Sequence, residues 1–385
     1  MAETPMNTIA GRPALRLCAL VAALLWSNAF TGVSGQKGAG LHLTPNGFRT
    51  HLYGVSQTRD ANGKVVPGCE ALTAPQVDAA RFGRRVSGAL KASYPQAVVR
   101  GPAGGATFDV TYTDAVGTGF NDAALGATRR RAFEAALAAW SKAIDAPQAI
   151  KVEASMYEMD DGDDDPATTL LAIAAPSEFW VLDEYVVPSA LTWQLNGFRY
   201  INARDADITI EVNDQANWDY SVDGSASGDR FSFVYTLLHE IAHGLGFIDS
   251  FDSETGLLAN DPLPFVYDVF VNRGSARRDP VMDHAPDQAL RDITSRDLFF
   301  SGAHASEVSR GLSRPAPMLR LYAPDPYEMA SSIGHFDQGT YEDSRTVLMT
   351  PIIVGSGDKI DSLTLAVMKD LGYQLASAAT TNRQK

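Results

Sequence analysis

The sequence has only two cysteines in 385 residues, and one of them, Cys18, falls within the first 35 residues. If those residues are removed on export, Cys69 remains alone and intramolecular disulfides are excluded as a source of stability. A chain of this length can instead bury a large hydrophobic core. Its hydrophobic content of 45% and charged content of 20% are those of an ordinary globular protein.

The sequence also lacks a basic excess and a long apolar run. Its 46 acidic residues outnumber 32 basic ones, giving a net charge of -14. No basic patch is available for phosphates, so we expect no nucleic-acid partner. The apolar run from Leu17 to Trp26 is well short of the roughly 20 residues that span a membrane. We therefore expect no stable membrane insertion.

That short apolar run is typical of an export signal. Arg12 and Arg16 precede it, and small residues follow it between Ala29 and Gly35. This is the order of features in a cleaved signal peptide. We predict that residues 1–35 are a signal peptide and that the protein is secreted, either to the extracellular space or to a periplasm.

The remaining chain divides by composition and hydrophobic pattern. Residues 36–105 are rich in Gly, Pro and polar side chains and are interpreted as an N-terminal extension or propeptide. In the next region, 106–248, apolar residues at every second position predict strands at 107–113, 150–156 and 207–213. Apolar residues every three or four positions predict helices at 128–144 and 231–247. Residues 249–376 are loop-rich and end in a helix at 361–371, followed by a tail at 377–385.

The most informative segment is LHEIAHGLGFIDS, from Leu238 to Ser250, which carries His-Glu-x-x-His on a predicted helix. Histidines four residues apart lie on one helix face, so His239 and His243 can both reach one Zn²⁺ ion. Glu240 follows the first histidine, and its carboxylate can act on a zinc-activated water molecule as general base and then as general acid.

Gly246 extends the motif to His-Glu-x-x-His-x-x-Gly, which resembles the metzincin zinc peptidases. Met349, in the stretch TVLMTP, is similar to the methionine of the turn that lies beneath their metal. Within that superfamily the chain most resembles leishmanolysin-type peptidases and their bacterial relatives. The resemblance runs from about residue 107 to 375 and is carried by the strand and helix at 107–144, by the zinc motif, and by the segments Tyr267 to Phe270, Ser331 to His335, Leu348 to Pro351 and Leu365 to Tyr373.

This resemblance implies an α+β, metzincin-like fold with zinc held between two subdomains. The N-terminal subdomain would contain a mixed sheet and two long helices, and the C-terminal subdomain would be loop-rich. The implied activity is that of a secreted zinc-dependent endopeptidase acting on a protein or peptide substrate, with Glu240 as the catalytic residue. The resemblance also implies that the strand at 208–213 borders the cleft and aligns an extended substrate.

Two residues compete for the role of third zinc ligand. Asp249 lies six residues after His243, where many metzincins place this ligand, whereas His335 lies 14 residues before Met349. We favour His335 because its surroundings resemble the leishmanolysin pattern and because neutral imidazole is a common zinc ligand. Asp249 would then orient an imidazole. The reverse assignment would leave His335 as a residue of the substrate cleft.

Cys69 raises the hypothesis of latency. A thiolate upstream of the catalytic region could occupy the open position of the zinc ion until it is displaced. The surrounding residues do not match the matrixin switch motif, and we favour an inert or buried thiol. The acidic run from Asp160 to Asp165 makes Ca²⁺ a candidate second cofactor, although a solvated turn is the interpretation we favour there.

Two other functions stay open at this stage. The chain could be a binding or adhesion protein on a metzincin scaffold, although binding alone does not require Glu240. It could also be a zinc hydrolase that acts on a non-protein amide. The four histidines outside the motif and the third-ligand position have no ligand spacing: His42, His51, His284 and His304. The sequence does not indicate an oligomeric state.

Overall fold

The computed structural model describes residues 42–43, 53–59, 65–71, 96–159, 170–199, 206–312, 315–341, 347–353 and 355–376. These residues all belong to one unit of the chain, Ala39–Lys385. The predicted signal peptide, the acidic run and the tail lie outside them. None of the described helices is long and apolar enough to cross a membrane.

The described helices are, in chain order, α1 (Gly126–Ala143), α2 (Ser189–Asn196), α3 (Phe233–Gly244), α4 (Pro286–Asp292), α5 (Ala303–Arg310), α6 (Gln338–Tyr341) and α7 (Ser362–Leu371). Short 3₁₀ turns occur at Gly119–Asn121, Asp268–Phe270 and Val281–Asp283.

The described strands are β1 (His42–Leu43), β2 (Tyr53–Arg59), β3 (Val65–Ala71), β4 (Gln96–Arg100), β5 (Thr107–Tyr112), β6 (Ile144–Asp145), β7 (Ile150–Tyr157), β8 (Leu170–Pro176), β9 (Phe179–Leu182), β10 (Tyr185–Pro188), β11 (Ile208–Asn213), β12 (Trp218–Asp219), β13 (Phe231–Ser232), β14 (Val271–Arg273), β15 (Leu298–Phe300), β16 (Leu319–Arg320) and β17 (Gln374–Leu375).

A seven-stranded mixed sheet is the centre of the fold, with the strand order β3-β2-β8-β11-β7-β5-β4. Strands β5, β7 and β11 are parallel to one another, whereas β8, β2 and β3 continue the sheet in antiparallel pairs. The predicted α+β class with a mixed sheet is therefore confirmed. The region 249–334 is loop-rich as predicted, but it also contains a small three-stranded sheet of β14, β15 and β16 and the short helices α4 and α5.

The two long helices pack against each other and against this sheet. The apolar residues of α1 recur every three or four positions, so this helix turns one continuous face inward. In α1 that face includes Phe133, Leu137 and Trp140, which are all fully buried. The indole N–H of Trp140 donates a hydrogen bond of 3.1 Å to the carbonyl of Leu238 in α3. This bond joins the two helices beside the His-Glu-x-x-His segment.

Helix α3 is buried along its whole length and has a defined start and end. The Ser232 side chain accepts from the Tyr235 N–H at 3.1 Å and caps the N-terminus. At the other end, Gly246 has a φ of +110°, a conformation that side chains with a Cβ atom rarely adopt. The chain therefore turns sharply after His243, as the predicted stop at Gly246 requires.

The structure differs from the sequence prediction at the strand thought to border the cleft. Strand β11 is paired on both sides, with β7 and with β8, so it has no free edge for a substrate. Its neighbour toward β2 and β3 is β8. The sequence pattern missed β8 because LLAIAAP is a continuous apolar run without alternation. The expectation that 208–213 aligns a substrate is therefore wrong.

The segment interpreted as an N-terminal extension contributes strands to the same sheet. Strands β2 and β3 form a hairpin that pairs with β8, and β4 pairs with β5 at the opposite edge. Beyond β3 the pairing continues as a bridge from Gly68 to Ile352. The hairpin thus connects the edge of the sheet to the segment that contains Met349.

The sharp turn at Gly246 generates a stability prediction. A Cβ atom at this position would lie 2.7 Å from the Pro188 side chain, in addition to the strain of the positive φ. Gly246→Ala should therefore lower the free energy of unfolding by at least about 2 kcal/mol. Gly117 also has a positive φ, but a methyl group there would meet no atom within 4 Å, so Gly117→Ala should cost only about 1–2 kcal/mol. Equal losses of unfolding free energy in the two variants, measured by denaturant titration, would contradict the expected clash with Pro188.

Candidate metal centre

Three histidine side chains meet beside the C-terminal end of α3. The Nε2 atom of His239 lies 3.1 Å from Nε2 of His243 and 3.2 Å from Nε2 of His335. All three imidazoles are fully buried. Two of them come from successive turns of one helix, and the third comes from the loop-rich region about 90 residues later. The fold therefore brings together the three residues that the sequence proposed as metal ligands.

The other ring nitrogen of each imidazole faces a backbone carbonyl. Nδ1 of His239 is 2.8 Å from the Leu348 carbonyl oxygen. Nδ1 of His243 is 2.7 Å from the Phe247 oxygen, and Nδ1 of His335 is 2.9 Å from the Ser331 oxygen. A carbonyl oxygen only accepts, so each Nδ1 must carry the proton and donate it. The three bonds therefore fix the same tautomer at every ring.

In that tautomer, the Nε2 atom of each neutral imidazole presents a lone pair. Burial lowers the pKa of all three histidines, to about 4 for His239, so the rings stay uncharged at neutral pH. The Nε2 lone pairs of His243 and His335 lie 3.1 and 3.2 Å from that of His239, and they repel it unless a cation lies between them. Ligands at tetrahedral zinc distances are spaced by roughly 3.3–3.6 Å, close to these separations. The three residues therefore fit a zinc ion.

Cys69 is the fourth member of this cluster. Its Sγ atom lies 3.1 Å from Nε2 of His239, and the candidate ligand atoms of Cys69, His239, His243 and His335 all lie within 4.8 Å of one another. The thiol is buried. A Cys and three His side chains form a donor set that suits zinc. The sequence favoured an inert thiol here, so the place of Cys69 among the histidines is the main feature of the site that sequence reasoning underestimated.

The backbone of Cys69 is held from two directions. Its N–H donates to the Pro351 carbonyl at 2.7 Å, and its own carbonyl accepts from the Ser331 hydroxyl at 2.6 Å. Ser331 also supplies the carbonyl that orients His335. Strand β3 is therefore attached both to the segment of Met349 and to the loop of the third histidine.

Glu240 is fully buried on the same helix as His239 and His243. Its Oε2 atom accepts a hydrogen bond of 2.8 Å from the Ala174 N–H on β8. Its Oε1 atom has no hydrogen-bond partner among the described residues. Burial raises the pKa of this carboxyl group well above its usual range. One oxygen is thus fixed by the sheet while the other is available for a proton.

Asp249 lies apart from the cluster. It is fully buried, and its Oδ1 atom accepts from the Phe251 N–H at 3.1 Å. Burial, and after it the charge of Asp249, raises the pKa of Asp268 to about 8. The structure therefore groups Asp249 with a second buried acid, Asp268. The role of orienting an imidazole, which the sequence offered to Asp249, is taken at each Nδ1 atom by a backbone carbonyl.

The other candidate residues have separate positions. Met349 is fully buried, and its carbonyl accepts from the Phe336 N–H at 2.7 Å, immediately after His335. His284 contacts the carboxylates of Asp292 and Asp279, at 2.6 and 3.3 Å. His304 lies in the first turn of α5 and is not a member of the cluster. The side chains of His42 and His51 lie outside the described residues.

A family model described as SPBPB7E8-like matches residues 128–272 of the chain. This match covers most of α1 and the whole of β7, β8, β11 and α3, including His239, Glu240 and His243. Cys69, His335 and Met349 lie outside it. No curated protein and no solved structure matches the chain. The match therefore includes three strands of the central sheet and the histidine helix, and it attaches no activity to them.

The third ligand can be tested by metal content. His335→Ala removes one of the converging Nε2 atoms and should reduce zinc affinity by more than the roughly 10–100-fold that loss of an outer partner costs. Asp249→Ala should keep most of the wild-type affinity. Both variants and the wild type would be titrated against a competing chromophoric chelator. Stoichiometric, tightly bound zinc in His335→Ala together with its loss in Asp249→Ala would reverse the assignment.

Proposed function

We propose that this protein is a secreted, zinc-dependent metalloendopeptidase with a metzincin-like catalytic domain. The observation that carries the proposal is the meeting of three neutral imidazoles, with His243 and His335 at 3.1 and 3.2 Å from His239, together with a buried glutamate on the same helix as two of them. The ligands would be His239, His243 and His335, and the catalytic residue would be Glu240. Zinc in this position would polarise the scissile carbonyl and activate a water molecule.

The environment of Glu240 supports a role in proton transfer. The hydrogen bond from the Ala174 N–H fixes Oε2, and the orientation of the carboxyl group then also fixes the position of Oε1. Burial raises the pKa of this carboxyl group above its ordinary value, so it holds a proton more readily than an exposed glutamate does. We assign it the role of general base toward water and then general acid toward the leaving amine. A main-chain donor on the sheet therefore orients the group that moves the proton.

The position of Cys69 supports a latent form of the enzyme. Its thiolate would fill the place that a substrate and water need, while the β2–β3 hairpin occupies the antiparallel position next to β8. An extended peptide commonly binds an exposed strand in this way. The hairpin would therefore block the metal and the adjacent strand edge together, and activation would require its displacement or removal.

The position of Cys69 beside the three histidines also favours a second function. Structural zinc sites are closed by four protein ligands, whereas catalytic sites keep one position open. One Cys and three His residues could thus form a structural site in a binding or adhesion protein. The peptidase is favoured because a structural site does not explain a fully buried glutamate with an oxygen that has no partner among the described residues. Hydrolysis of a non-protein amide would use the same groups. Only an assay with both kinds of substrate distinguishes that activity from peptide hydrolysis.

The catalytic role of Glu240 predicts a loss of turnover without loss of metal. Glu240→Gln should reduce hydrolysis of casein or gelatin by roughly 10²–10⁴-fold, while one zinc ion per chain is retained. Glu211→Gln is the matched control, because Glu211 is also a buried carboxylate but contacts Tyr157 on β7. It should keep wild-type turnover. Chelator-sensitive cleavage that persists in Glu240→Gln would contradict the assignment, and an amide of the cell wall would be tested in parallel.

Latency and a structural site predict opposite effects of Cys69→Ala. In a latent peptidase, the variant should raise basal cleavage of a short peptide about tenfold or more, since each 1.4 kcal/mol or so of bias toward the blocked state removes a factor of ten in active enzyme. In a structural site, the variant should lower zinc affinity and produce no cleavage. Peptide hydrolysis and zinc affinity measured on the same preparation distinguish the two outcomes.

A further inference from the structure

One carboxylate links the start of helix α7 to the segment that holds the metal centre. Asp361 is the N-cap of α7, and its Oδ1 atom accepts from the N–H groups of Leu363 and Thr364 at 2.9 and 3.0 Å. Its Oδ2 atom accepts from the Thr364 hydroxyl at 2.7 Å. The same Oδ2 atom also accepts from the Leu348 N–H at 2.9 Å, which lies outside the helix.

Leu348 is the residue whose carbonyl orients the first histidine of the zinc motif. Its oxygen is 2.8 Å from Nδ1 of His239. The next residue, Met349, accepts from the Phe336 N–H beside His335. The segment from Leu348 to Met349 therefore supports the imidazole of His239 directly and contacts the residue that follows His335. Its position depends on what holds Leu348.

Helix capping alone does not account for a carboxylate at this position. Ser or Asn caps a helix about as well as Asp does, without the cost of removing a charge from water. Asp361 as a residue is partly exposed, but protein surrounds its carboxyl group closely enough that burial raises its pKa. Burial and then the charge of Asp361 also raise the pKa of Tyr235 in α3. The carboxylate thus lies between α7, Leu348 and the metal-binding helix.

We propose that Asp361 is a positioning residue of the metal centre, which holds Leu348 in place so that its carbonyl orients the imidazole of His239. The inference rests on the metal-binding part of the proposed function. It assigns no contact between Asp361 and the metal or a substrate. A second oxygen, available only in a carboxylate, allows the side chain to cap α7 and to hold Leu348 at the same time.

Asp361→Asn separates these two tasks. The amide oxygen can still cap α7, but the NH₂ group cannot accept from Leu348. The variant should lose roughly 10–100-fold in zinc affinity, as is usual when a partner that orients a ligand is removed. Zinc affinity would be measured by chelator competition, and Co²⁺ substituted for zinc should give an altered visible absorption spectrum because the His239 ring is no longer held.

Asp370→Asn is the matched control. Asp370 lies at the other end of α7, is also partly buried, and accepts from the N–H groups of His304 and Ala305 at 3.0 and 2.8 Å. Its replacement should lower thermal stability without changing zinc affinity or the Co²⁺ spectrum. A purely structural role for Asp361 would give the same result as this control.

Asp361→Ser provides a second variant if Asp361→Asn does not fold, because serine keeps the cap but has only one oxygen. Wild-type zinc affinity and an unchanged Co²⁺ spectrum in either folded variant would overturn the proposal. This failure is distinct from that of the peptidase proposal. Wild-type protein that binds zinc but cleaves no peptide leaves the role of Asp361 intact, whereas wild-type protein that binds no metal refutes it.

Discussion

The site depends on three hydrogen bonds from imidazole Nδ1–H groups to backbone carbonyls. These bonds set the tautomer of His239, His243 and His335 and direct three lone pairs to one point. Backbone carbonyls are suited to this role because their positions are fixed by the fold rather than by a rotatable side chain. The arrangement of the three imidazoles therefore depends on the positions of the three chain segments that supply the carbonyls.

Each of those segments is held by a different device. The Phe247 carbonyl follows the turn at Gly246, which has a positive φ. Leu348 is held through its N–H by Asp361. Ser331 is attached to strand β3 through its hydroxyl group. A helix end, a buried carboxylate and a strand from the N-terminal segment thus all support one constellation of imidazoles.

The N-terminal hairpin of β2 and β3 also contributes a residue to the site. Strands β2 and β3 extend the sheet past β8, and β3 carries Cys69 to the histidines. A thiol in this position could serve, once deprotonated, as a fourth metal ligand. In an enzyme it would keep the metal from substrate, and in a binding protein it would complete a structural site. The same contact is therefore compatible with both functions, and Glu240 is the residue that favours the enzyme.

Periodicity predicted the long elements well because it depends on local sequence. The helix expected at 128–144 is found at Gly126–Ala143, and the one expected at 361–371 is found at Ser362–Leu371 with Asp361 as its cap. Strand β8 was missed because a strand buried on both faces has no alternation to detect. The role given to β11 was wrong because its second neighbour, β8, is a pairing that no local pattern encodes.

The sequence by itself determined the α+β class, the helix that carries His239, Glu240 and His243, and the end of that helix near Gly246. These features follow from spacings of a few residues, which backbone geometry converts directly into shared faces and turns. Only the tertiary structure decided that His335 rather than Asp249 lies with the two helix histidines, and that Cys69 lies with them. Those positions depend on contacts between residues 96 and 170 positions apart, and sequence spacing carries no information about distances that the folded chain closes.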